Sequence, residues 1–187
     1  MDEKRIVQEV AGGLMKEEQL RKLFEFVRDI PYGDPGSRDP EEVYKQQRGT
    51  CSGKHALLKK LYAAIGVETQ DWIAMHRFND LPVEFSFEIY KLLETTEILD
   101  PHNFLKVNWC GTWITVDVTW EKSLKKFGFP CSEWGEETLC VVPSEIFVAD
   151  DPVLEKEKRI SELPKEVQWE RTRFLQMLTA WLDSVRS

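Results

Sequence analysis

The sequence predicts an α+β fold: a helix with a cysteine at its N-terminus packs on an antiparallel sheet, and a further helix closes the chain. Three stretches predict it. From Gly49 to Gly66 a small, turn-prone lead-in precedes an apolar stripe of Ala56, Leu57, Leu61, Ala64 and Ile65, and Gly66 stands where a left-handed cap ends a helix. Residues 102–107 and 113–118 alternate as two strands around Asn108-Trp109-Cys110-Gly111, a hairpin loop. After Leu163-Pro164, the residues Val167, Phe174, Leu178, Trp181, Leu182 and Val185 form one apolar helical stripe that should dock on the rest.

The remaining elements follow in order. Residues 2–11 read as a short helix with Ile6, Val7 and Val10 on one side, broken by Gly12-Gly13. Lys16 to Asp29 is a firmer helix on the stripe Leu20, Leu23, Phe24 and Val27, and 31–36 is a loop. Asp39 is the N-cap of a short helix with Pro40 as its first residue and Glu42 closing a capping box. A strand is expected over 71–78 with Trp72, Ala74 and His76 on one face. Over 83–93 both a strand and a helix fit; Pro82 in a first turn and the Lys/Glu-bearing end favour a helix, a flap or wall beside the site. Residues 121–137 read as a loop with one short helical turn, placing Cys131 and Trp134 over the cleft. Short strands are expected over 138–142 and 146–149, and an exposed charged stretch over 150–160. The 187 residues are expected to form a single domain, with a catalytic core of about 38–120 and an extension over 121–187.

Cys51 falls in the first helical turn, where unpaired N–H groups and the positive end of the helix dipole favour a thiolate. By itself this residue reads more readily as a small buried hydrophobe, since cysteine is among the most buried residue types. Downstream, a four-residue loop closing the hairpin sets Val107 against Thr112, which puts His102 opposite Asp117 and lets the carboxylate orient the imidazole. Leu105, Val107, Ile114, Val116 and Val118 then share the core face; a slip of one residue would separate the pair. Gln46 and Gln47 are candidate oxyanion donors beside the Cys51 N–H, against a plain reading as solvent-facing surface. His55, four residues after Cys51, shares its helical face and reads as packing beside the nucleophile rather than as a metal ligand or base.

Gly49-Thr50-Cys51-Ser52-Gly53, then His102, then Trp113-Ile114-Thr115-Val116-Asp117-Val118-Thr119-Trp120 resemble the core of the transglutaminase-like superfamily. The resemblance covers roughly residues 38–120 and implies a papain-like cysteine protease fold. It also implies Cys51 as nucleophile, His102 as base and Asp117 as the residue orienting the base. The long segment before His102 and the tail after Trp120 depart from the family pattern.

The chemistry expected is acyl transfer on amide or peptide bonds through a thioester, with a peptide or protein substrate. By analogy within the family, hydrolysis is favoured over cross-linking. The alternatives are a protein-glutamine transglutaminase and a non-catalytic binding module on the same fold. Phe104 and Trp113 are substrate-cleft candidates, while Trp120 reads as core. A net charge of −8 points away from a nucleic-acid partner. The cysteines at 51, 110, 131 and 140 have no C-x-x-C spacing, so neither a zinc site nor any other cofactor or metal is expected, nor is a deglycosylating relative of the family. The longest apolar runs are too short to cross a membrane and the N-terminus is charged, which reads as a cytoplasmic protein with reduced thiols and no membrane partner.

Overall fold

The computed structural model describes residues 1–137 and 139–186. Helices α1 (Glu3–Ala11), α2 (Lys16–Arg28), α3 (Pro40–Gln46) and α4 (Cys51–Ala64) come first. Strand β1 (Thr69–Arg77), helix α5 (Phe87–Thr95) and the hairpin β2 (Leu99–Trp109) and β3 (Thr112–Val116) follow. Strand β4 (Pro143–Val148) and helices α6 (Pro152–Glu162) and α7 (Lys165–Arg186) complete the chain. The sheet is antiparallel, in the order β3-β2-β1-β4. The architecture is α+β, with the C-terminal helix docked on it. Among the described residues no helix is long and apolar enough to cross a membrane.

Two apolar cores flank the elements that carry Cys51 and His102. Leu105, Val107, Val116 and Val118, the face that the alternation marked, pack against Leu57, Leu58 and Leu61 of α4 and against α1 and α2. The second core gathers Tyr32, Trp120 and Phe129 with Phe174, Leu178 and Leu182, the buried stripe of α7. Stabilisation of such cores scales with apolar area removed from water, at about 25 cal/mol per Å².

Local devices fix the entry into α4. A parallel bridge joins Tyr32 to Gly49, with Gly49 N–H donating to the Pro31 carbonyl at 3.2 Å. At Gly53 a Cβ would stand 2.7 Å from Val43 Cγ2, so the glycine is what lets α3 lie against the first turn of α4. Lys54 is fully buried and donates to the carbonyls of Arg28, Ile30 and Thr119 at 2.8, 2.7 and 2.8 Å. It ties the end of α2 and the chain after β3 to the start of α4.

Several expectations are corrected. The hairpin loop has two residues, Cys110 and Gly111, at φ 52° and 82°, so Trp109 rather than Val107 faces Thr112. Positive φ at both positions matches the twist of paired strands, which is why a two-residue loop wins over four. Asp39 caps α3 through Glu41 N–H at 2.7 Å, but its own N–H donates to Ser37 Oγ, so no capping box with Glu42 forms. Helix α5 begins after a Ser86 cap rather than at Pro82, and it packs against α7 instead of walling the cleft. Cys131 and Trp134 pack inward, Trp134 against Phe24 and Tyr62. A single strand, β4, replaces the two expected over 138–149, and Thr138 lies outside the described residues. The stretch read as exposed and charged is α6.

Candidate active site

Thr50 is extended and the helix starts at Cys51, a residue 4% exposed that lines a cleft of about 830 Å³. The cleft wall is built by Tyr32 and the 34–38 loop, by Lys156 and Glu157 of α6 and by the Arg171–Asp183 stretch of α7. The C-terminal segment thus supplies one side of the site.

His102, on β2 and opposite Ala74 of β1, lies close enough to Cys51 to act on its thiol and turns Nε2 to Asp117 Oδ2 at 2.6 Å. Asp117 lies just beyond β3 and is fully buried. Its Oδ2 also accepts Cys140 N–H at 2.9 Å, and its Oδ1 accepts Thr119 N–H at 3.1 Å and Thr119 Oγ at 2.7 Å. Four donors around two oxygens leave the carboxylate one orientation.

The electrostatics form a chain of charges. Burial pushes the Cys51 thiol up, but the Lys156 ammonium and then the neighbouring His102 ring outweigh it and hold the thiol well below its ordinary range. Burial pulls His102 down, while Asp117 and then Cys51 raise it to about 10. Burial likewise opposes the Asp117 carboxylate, and His102 overrides it, keeping Asp117 well below the usual carboxylate range. These opposed shifts favour a thiolate paired with an imidazolium, with Asp117, His102, Cys51 and Lys156 following one another in a row of alternating charge.

His55 has a different job. Its Nδ1–H donates to the Cys51 carbonyl at 2.7 Å and its Nε2 accepts Val118 N–H at 3.0 Å. With that lone pair taken, the 3.5 Å approach of Nε2 to Asp117 is not an ion pair; burial holds the ring neutral. His55 fastens the residue after Asp117 to the first turn of α4. Among the described residues no cluster of three or more His, Cys, Asp or Glu side chains could hold a metal ion.

The structure brings Cys51, His102 and Asp117 together and leaves the other candidates apart. Gln46 is exposed and donates to Glu42 at 3.2 Å; Gln47, also exposed and left-handed at the end of α3, donates to the Tyr44 carbonyl at 2.7 Å. Neither lines the cleft: α3 packs on α4, and Gln47 sits instead at a hollow with Lys22, Glu25 and Phe26 of α2. Phe104 is buried between Ala74 and Val141, and Trp113 sits half-buried on the edge strand β3; neither reaches the cleft. Trp120 is core, as its position indicated.

Two groups went unread. Lys156 is the one fully buried side chain of α6, and its Nζ lies 3.1 Å from the Cys51 sulfur. The signal was there: Val153, Lys156 and Ile160 fall at i, i+3 and i+7 on one helical face. Asp100, opposite His76, accepts Arg171 Nε at 2.6 Å and pins α7 to β2 at the cleft floor.

No protein-family model matches the chain, and no curated protein matches it. A solved structure from Cytophaga hutchinsonii, described as a "Putative Cysteine Protease", is similar to it with a TM-score of 0.47 and 12% identity. The likeness covers 77% of this chain and 41% of that one, so the chain spans less than half the length of that protein.

Proposed function

We propose that the protein performs cysteine-dependent acyl transfer on amide or peptide bonds, with hydrolysis as its main outcome. The observation that carries the reading is His102 held between the Cys51 sulfur at a helix N-terminus and the buried Asp117 carboxylate, 2.6 Å from it. In this reading the Cys51 thiolate attacks the carbonyl carbon, and the imidazolium of His102 gives its proton to the departing amine. Asp117 fixes the imidazole orientation. Water then adds to the thioester, its proton passes to His102, and the acid leaves. The transglutaminase-like resemblance and its papain-like fold agree with these roles. A cleft walled by a mixture of Tyr32, Leu175, Arg38 and Asp34 suits a peptide better than a purely apolar or purely charged ligand.

Iodoacetamide at mildly acidic pH, followed by peptide mapping, tests the thiolate. Cys51 should label before exposed Cys110 and well before Cys131 and Cys140, whose thiols burial pushes up, Cys131 to about 12. Burst kinetics with 4-nitrophenyl acetate test the thioester, with an acetyl group found on Cys51 and absent after His102→Ala. Adding glycine ethyl ester separates hydrolysis from transfer to an amine. Equal labelling of all four cysteines, without a burst, would leave a binding module.

A further inference from the structure

The sequence offered Gln46 and Gln47 as oxyanion donors, and neither lies in the cleft. Something else must donate there if the site works on carbonyls, since stabilising the developing negative oxygen is commonly the largest single contribution to such catalysis. Besides the His102 ring, which serves as acid and base, one side chain with N–H groups already stands at the sulfur. We propose that Lys156 completes the oxyanion site, donating from its ammonium to the oxygen of the carbonyl attacked by Cys51, with the Cys51 backbone N–H as second donor. This rests on the acyl-transfer reading above.

Three observations support the role. Lys156 Nζ is 3.1 Å from Cys51 Sγ. An oxygen on the carbon that the sulfur attacks is two bonds from that sulfur, within hydrogen-bond reach of an amine that touches it. Next, Lys156 is 4% exposed and is the sole fully buried residue of α6. Burying a lysine is costly, and α6 is also held by its packing on β1 and β2 and by pairs such as Arg38–Glu157 at 3.1 Å and the Arg159 guanidinium over the Phe147 ring, none of which needs a buried cation. The helix therefore spends its buried position on a cation at the sulfur. Finally, Cys51 is the first residue of α4, so its N–H has no acceptor within the helix and is free to donate.

The step balances. The thiolate pair forms the S–C bond and the carbonyl π pair moves onto oxygen, where the ammonium and the Cys51 N–H hold it. The pair returns as the C–N bond breaks, and the amine leaves with the proton from His102. Lys156 keeps its own protons throughout.

The test compares two reactions of Cys51, one that forms an oxyanion and one that does not. Acylation by 4-nitrophenyl acetate passes through a tetrahedral oxyanion; alkylation by iodoacetamide does not. Both rates are read on the alkaline plateau of each protein's own pH profile, where the thiolate is fully formed. Lys156→Met should slow acylation by about 10²- to 10³-fold and leave plateau alkylation within a few-fold of wild type, and Lys156→Arg should recover part of the loss. Near-ultraviolet circular dichroism checks the fold, and Lys156→Gln serves where Met disturbs it. A rise in both rates would make Lys156 a plug over the sulfur, and an equal fall in both would make it a tuner of the thiol alone; either overturns the proposal. Failure of wild type to acylate, with alkylation intact, would instead remove the acyl-transfer reading on which it rests.

Discussion

His102 and Asp117 meet at 2.6 Å without being partners in the hairpin ladder, which pairs Leu105 with Val116 and ends there. Extending that register would set His102 diagonally from Asp117, two places off the directly opposed position. The contact survives because a two-residue shift keeps both side chains on the same face. It is then fixed by the donors that converge on Asp117 rather than by the strand pairing.

Asp117→Asn should therefore do two things. An Asn puts an amide N–H₂ where His102, Cys140 and Thr119 all donate, so one oxygen's worth of acceptors is lost. Leaving buried donors unpaired costs about 1–3 kcal/mol, read as a lower urea midpoint. Turnover should fall by about 10- to 10³-fold, bounded by the roughly 10⁴ seen for serine triads. The pH at which Cys51 becomes reactive should rise, because His102 is held protonated chiefly by Asp117. An unchanged alkylation profile would detach Asp117 from the chemistry.

What was legible in the sequence followed local periodicity. The α4 stripe, the Gly66 stop at φ 68° and the shared face of Leu105 and Val116 need only neighbours along the chain. The register needed Cys110 to adopt a left-handed backbone, which its residue type does not announce. Phe104 and Trp113 were misplaced because alternation puts them on the face of His102 and Asp117 but does not say what covers them there: Ala74 and Val141 pack on Phe104, and Trp113 lies out on the edge strand. Lys156 was hidden by its charge: a lysine among Glu155, Glu157 and Lys158 reads as solvated surface until α6 is laid on the sheet.

The hairpin turn gives a second prediction. Asn tolerates the left-handed region better than Cys, and Asn-Gly is the favoured pair for a two-residue turn with positive φ at both positions. Cys110→Asn should stabilise the protein by about 0.5–1 kcal/mol in urea unfolding, and it removes the exposed thiol from labelling experiments. A loss of stability would mean that the Cys110 side chain has a role the turn geometry does not require.

Lys54→Met gives a third. The substitution keeps the length of the buried stem but strips three carbonyls of their donor. The expected loss is roughly 3 kcal/mol, or about 6–12 °C in Tm for a chain of this size. Since Thr119 is one of the three, acylation of Cys51 should slow as the chain beside Asp117 loosens. A variant as stable as wild type would show that water replaces the ammonium.

The last prediction concerns stability against pH in the wild-type protein. His102 is raised to about 10 in the folded state, so its contribution is complete below its unfolded value of about 6.5 and is lost as pH climbs towards 10. Cys51 is depressed, so its contribution is present above the unfolded value of about 8.5 and is lost as pH falls towards its folded value. Between pH 6.5 and 8 the folded pair holds one proton, on His102, and the unfolded pair also holds one, on the thiol. The two slopes cancel and stability should be flat. Below about 6.5 the unfolded imidazole gains a proton that the folded pair cannot take, so stability falls by about 1.4 kcal/mol per pH unit for that proton. His55, held neutral by burial, steepens the same fall. The window closes near 8, where Lys54, lowered to about 8 by burial, begins to titrate. Urea unfolding at half-unit steps from pH 5.5 to 8 reads the profile. If Cys51 were instead a neutral thiol, His102 alone would make stability drop by about 2 kcal/mol between pH 6.5 and 8. A steady decline across that window would remove the thiolate–imidazolium pair, and with it the charge that Lys156 is placed to meet.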